Sequence, residues 1–129
     1  MNQSSPTMVQ QLAQAARECA HQRTGHAPKS ATAVLSDDTL VITLHEALSP
    51  AERALALSPA GAAQLQEYHR QLFANSSAAL RQEIQRITGV DVREARAEVE
   101  TVPGAVMQMF ATGTMVQVFL LSRSVSADS

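Results

Sequence analysis

The chain carries four histidines, His21, His26, His45 and His69, and a single cysteine, Cys19. A structural zinc site asks for such residues in tight pairs. No H-x3-H or C-x2-C pairing occurs, and Cys19 and His21 are two apart, so a helix aims them to different sides. No resident metal or cofactor is expected. Cys19 also makes a poor nucleophile, because it falls late in a helical pattern, where the helix dipole opposes a thiolate. No G-x-S-x-G offers a serine instead, and five glycines supply neither a G-x-x-x-x-G-K nor a G-x-G-x-x-G phosphate cradle. The expectation is a chain without catalytic residues, one that binds and is not an enzyme.

Candidate ligand contacts are His45, Glu46, Gln108 and Gln117. His45 and Glu46 lie between a strand and a capped helix, and a carboxylate beside an imidazole can exchange protons. Neighbours on a strand point to opposite faces, so Glu46 also reads as an anchor of the loop, with His45 half exposed. Gln108 and Gln117 sit within strongly apolar strands. Facing amides can bond each other, or hold a small polar ligand such as bicarbonate through neutral donors. The plainer reading, and the stronger one, is of solvent-facing positions or register markers. The series Glu94, Arg96, Glu98, Glu100 has the period of a solvated sheet face, and Arg96 interrupts any carboxylate set for a cation. Arg81 and Arg86 are diluted by Glu83, and the net charge is −2, so no nucleic acid partner is expected.

These residues need elements to place them. With 129 residues, 45% hydrophobic and 17% charged, the chain suits one folded domain. Aromatics are only 3%, so Ala, Leu, Val, Ile and Met must fill the core. Thr7 caps a first helix with Met8, Leu12, Ala15 and Cys19 on its apolar face, ended by Gly25 and Pro28. Strands over 31–35 and 39–44 flank a turn at Asp37-Asp38. Ser49-Pro50-Ala51-Glu52 is a capping box opening a short helix. A longer helix spans 59–87, with an inward stripe of Leu65, Tyr68, Leu72, Phe73, Ser76, Leu80, Ile84 and Ile87. Its weak centre at Asn75-Ser76-Ser77 can bend it, and Gly89 stops it. Residues 90–100 alternate as a strand. Val106–Phe110 and Met115–Phe119 then echo each other around Thr112-Gly113 as a hairpin. The resulting order is α-β-β-α-α-β-β-β, an α+β fold with an antiparallel sheet and helices packed on one side. Residues 7–122 form the domain, and 1–6 and 123–129 read as flexible tails.

The segment 106–121 is apolar on both faces and carries no charge between Ala105 and Ser122. Helices on one side of a sheet leave such a surface bare, and a bare edge would lack blockers. A homodimer through the C-terminal strands is therefore expected, with Val106, Phe110, Met115, Val118 and Phe119 as its contacts. No apolar run reaches the ~20 residues needed to cross a bilayer, and the polar N-terminus does not resemble a signal peptide. A lone cysteine fits a reducing compartment, so a cytoplasmic protein without direct membrane insertion is expected.

The order and punctuation of these segments resemble the MpsC family, named for a component of a sodium-translocating, membrane-potential-generating system. Four places carry the resemblance: Thr24-Gly25-His26-Ala27-Pro28; the Asp-pair hairpin Ser36 to Ile42; Leu44-His45-Glu46-Ala47-Leu48-Ser49-Pro50-Ala51-Glu52, close to L-E-G-x-L-T-x-A-E; and Ile87-Thr88-Gly89 with the closing Val116 to Leu120. The likeness spans roughly residues 8–122. Ala27 and Ala47 stand where the family uses glycine. The resemblance implies an accessory protein to a membrane ion or inorganic-carbon transport system, with a membrane transport protein as partner. The alternative is a stand-alone homo-oligomeric regulator of a small anion or metabolite.

Overall fold

The computed structural model describes residues 7–99 and 113–125. Helix α1 covers Met8–Thr24, followed by strands β1 (Ser30–Ser36) and β2 (Thr39–His45). Helices α2 (Pro50–Leu55), α3 (Pro59–Ser76) and α4 (Ala78–Thr88) come next, then β3 (Val92–Val99) and β4 (Met115–Leu121). The class is the expected α+β. The long helix is interrupted at Ser77, at the weak centre, giving α3 and α4. Val106, Gln108 and Phe110, and with them the first half of the expected hairpin, lie outside the described residues.

Local chemistry starts and stops these elements. Thr7 caps α1 in a full capping box with Gln10, and Ser49 does the same for α2 with Glu52. Gly25 and Gly89 close α1 and α4 in the left-handed conformation, at φ 80° and 78°. The turn between β1 and β2 places Asp37 at φ 55°, a conformation that Asp tolerates better than most residues. A second left-handed residue is Glu46, at φ 52°. The position there that would profit from glycine is thus Glu46, and not Ala47.

The sheet is antiparallel in the order β1-β2-β4-β3. Leu40, Ile42 and Leu44 of β2 share a face with Met115, Gln117, Phe119 and Leu121 of β4 and Ala97 and Val99 of β3. The helices cover that face. Leu12, Ala16 and Ala20 of α1, Leu65 and Phe73 of α3, and Leu80 and Ile84 of α4 complete the core. On α1 the buried line is thus Leu12-Ala16-Ala20, while Met8, Ala15 and Cys19 pack at its margin. Small alanines on α1 let the helix sit close to the sheet, which suits a core poor in aromatics.

The expectation of a bare edge near the C-terminus is corrected. β4 lies inside the sheet, bonded to β2 on one side and β3 on the other, so its lack of charge needs no edge blockers. Its faces also bear on the expected contacts, which grouped Val118 with Phe119: Val116 and Val118 share the outer face. Those two point outward with Leu120, half-buried, while Phe119 is fully buried. Residues 123–125, expected in the tail, are tied down: Val125 N–H donates to Asp37 O at 3.1 Å, and Arg123 reaches Gly89 O at 3.2 Å.

Candidate functional site

Two buried polar places stand out in the described core. The first joins α2 to α3. Glu52, at the third position of α2, accepts from Ser49 N–H through Oε1 at 2.9 Å. Its other oxygen accepts from His69 Nε2 at 2.8 Å. His69 is only 2% exposed. Burial pushes the Glu52 carboxyl up, but the Ser49 N–H and His69 outweigh it and hold the carboxyl below the usual range. A close helix corner sets this contact. A Cβ on Gly61 would lie 2.0 Å from Leu55 O, so only glycine lets the first turn of α3 meet the end of α2.

Sequence reasoning missed this pair. It placed Tyr68 on the inward stripe of α3. The stripe is Leu65-His69-Phe73, a four-residue spacing, and Tyr68 turns to solvent with its ring edge-on to His69. The signal that could have found it was that spacing, with a histidine between two apolar residues. The partner, seventeen residues away, was not readable from spacing.

The second place is Gln117 on β4, which is 0% exposed. Its Nε2 lies 3.8 Å from Met115 Sδ, and its Oε1 has no hydrogen-bond partner among the described residues. The expected solvent-facing amide is therefore a core residue. A strand paired on both edges with one face under helices buries every second side chain, and Gln117 has that parity. Its expected companion Gln108 lies outside the described residues.

The other expected contacts are scattered. Glu46 forms a surface ion pair with Lys29 at 3.6 Å, and its carbonyl accepts from His26 Nε2 at 2.9 Å. His45 ends β2 half-buried, with its carbonyl accepting from Lys29 N–H. Of the expected interface residues, Met115 and Phe119 are in the core, and Val118 is half-buried on the face opposite the helices.

A surface groove of about 540 Å³ lies between α1 and α4. Gln10, Gln11, Gln14, Gln22 and Gln82 wall it, with Glu18, Glu83 and Arg86, over a floor that includes Ala15, Ala79 and Cys19. Burial raises the Cys19 thiol, with Arg23 opposing, so this sulfur is held as a thiol. Arg23 packs its guanidinium over the Phe73 ring, 5.6 Å from the centroid. Among the described residues no group of three or more His, Cys, Asp or Glu could hold a metal ion, and no helix is long and apolar enough to cross a membrane.

Comparison with curated proteins and with solved structures gives no match. A family model described as "Na+-translocating membrane potential-generating system (MpsC)" matches residues 5–122. That match spans every described helix and strand, and the chain belongs to the MpsC family.

Proposed function

We propose that this chain is a non-enzymatic accessory protein of a Na+-translocating, membrane-potential-generating system, working in the cytoplasm by holding a membrane transport protein. Family membership supports the system. The observation that carries the binding mode is the groove between α1 and α4. Gln10 already accepts from Thr7 N–H at 2.9 Å and Gln14 donates to Glu18 at 3.2 Å, so the amides of Gln22 and Gln82, which both donate and accept, are the ones that match the backbone of a polar partner segment, and the alanine floor gives the segment apolar surface to cover. Glu18 of α1 lies across the groove from Glu83 and Arg86 of α4, which pair with each other at 2.7 Å, so the groove carries both signs of charge, which suits recognition of a mixed segment over a free ion.

The test is purification of the tagged chain from native membranes and from cytosol. The proposal expects a Na+ transport protein to elute with the chain from solubilised membranes. A chain that elutes alone from both fractions, folded and at native abundance, overturns it.

A further inference from the structure

The two edges of the sheet are defended very differently. β3, at one edge, carries Arg93, Glu94, Arg96 and Glu98 and has a register irregularity between Val92 and Glu94. Both are devices that stop another strand from adding. β1, at the other edge, is Ser-Ala-Thr-Ala-Val-Leu-Ser, regular in its pairing with β2 along its whole length and without charge or proline. Among the described residues no strand pairs with its outer side. Ser36 and Thr39 flank a two-residue turn, so they exchange both backbone bonds, and the pattern alternates from there. The backbone groups of Ala31, Ala33 and Leu35 therefore point away from β2, toward the open edge.

We propose that β1 pairs with β1 of a second copy of this chain, antiparallel about a twofold axis at Ala33, joining the two sheets into one. The register follows from which groups are free. With Ala33 opposite the partner's Ala33, Ala31 falls opposite the partner's Leu35, and each such pair exchanges both bonds. Any other centre leaves part of this set unpaired. The same register sets Thr32 opposite the partner's Val34 on the outer face, a β-branched pair of the kind that stabilises sheets. It also brings Lys29 to the end of the ladder that holds the partner's Asp37, so opposite charges close both ends. Space is provided on the helix side, where a groove of about 300 Å³ runs along this edge between β1 and α1. Small side chains line it, Ala13, Ala31 and Ala33 among them, with Gln10 and Gln14 above. An unrelated strand would satisfy the backbone groups but would not supply the matched charges at both ends. The contact also covers Val34, now 64% exposed, along one flank.

The experiment is sedimentation equilibrium on the whole chain and two double variants. Thr32→Lys with Val34→Lys puts like charges opposite each other twice across the twofold. Thr32→Lys with Val34→Glu puts opposite charges there instead. Both sites are exposed in the single chain, and matched melting temperatures will confirm that each variant folds. The proposal expects a dimer in the micromolar range for the unmodified chain, weakening on the order of tenfold in the Lys/Lys variant and retained in the Lys/Glu variant. A monomer for the unmodified chain at roughly 100 µM overturns it. So does a dimer that the Lys/Lys variant leaves unchanged, or one that both variants weaken equally.

Discussion

Glu52 and Gln117 both bring polar atoms into the interior, and the fold treats them in opposite ways. Glu52 spends each oxygen on a donor, one on the Ser49 backbone and one on His69. It thereby ties the start of α2 to the middle of α3. Gln117 is more deeply buried and leaves its Oε1 without a partner among the described residues. An unmade hydrogen bond in the interior costs more than a made one contributes. The first place is therefore a structural joint, and the second, among the described residues, is a polar atom without a partner in an otherwise apolar sheet face. Neither lines the α1–α4 groove, where the proposed partner sits.

Four substitutions can break or sharpen that contrast. The largest effect is expected of Phe119→Glu. Phe119 is fully buried against Phe73, and an unpaired charge there should cost upwards of ~4 kcal/mol, enough to unfold a domain of this size. A folded variant by circular dichroism would show that the faces of β4 are assigned wrongly. Next is His69→Leu, which strands a half-buried carboxylate and should lower stability by about 2 kcal/mol in denaturant titration.

The same joint carries a pH signature. The Glu52 carboxyl is held below its usual range in the fold, so its contribution is present above the unfolded value of about 4.3. It is lost as pH falls through the lower folded value. Unfolding curves from pH 7 to pH 3 should therefore fall less steeply for Glu52→Gln than for the unmodified chain. Equal slopes would show that the Glu52 carboxylate does not stabilise this joint. Gln117→Met is the smallest change in size and has the opposite sign. It replaces an amide whose Oε1 has no partner among the described residues by an apolar side chain of similar volume, and should raise stability by about 1 kcal/mol. A loss of stability would mean that the amide is satisfied in solution.

Much of this fold was legible in the sequence because its signals are local. Ser49-Pro50-Ala51-Glu52 starts a helix through contacts three residues apart, and Gly25 and Gly89 stop helices by their own backbone freedom. The alternation of Leu40, Ile42 and Leu44 shows which face of β2 is buried. The faces of β4 were not legible. They depend on β4 lying between β2 and β3, and that order is set by contacts some eighty residues apart in sequence for Leu40 and Phe119. A strand apolar on both sides gives no parity signal, so Gln117 could be read outward or inward with equal ease. The candidate site suffered more. Each half of the Glu52–His69 pair looked ordinary alone, one as a capping residue and the other as a lone histidine.

On the proposed function, the chain holds its partner in the α1–α4 groove and uses its buried polar groups for structure. One measurement bears on it directly: the amount of Na+ transport protein recovered from native membranes with tagged Ala79→Arg and with tagged Gln117→Met, each against the unmodified chain. Ala79 is exposed on the groove, so an arginine there fills the groove without entering the core. Recovery should be lost with Ala79→Arg at an unchanged melting temperature, and complete with Gln117→Met. Full recovery with Ala79→Arg, or loss with Gln117→Met, would contradict the proposed function.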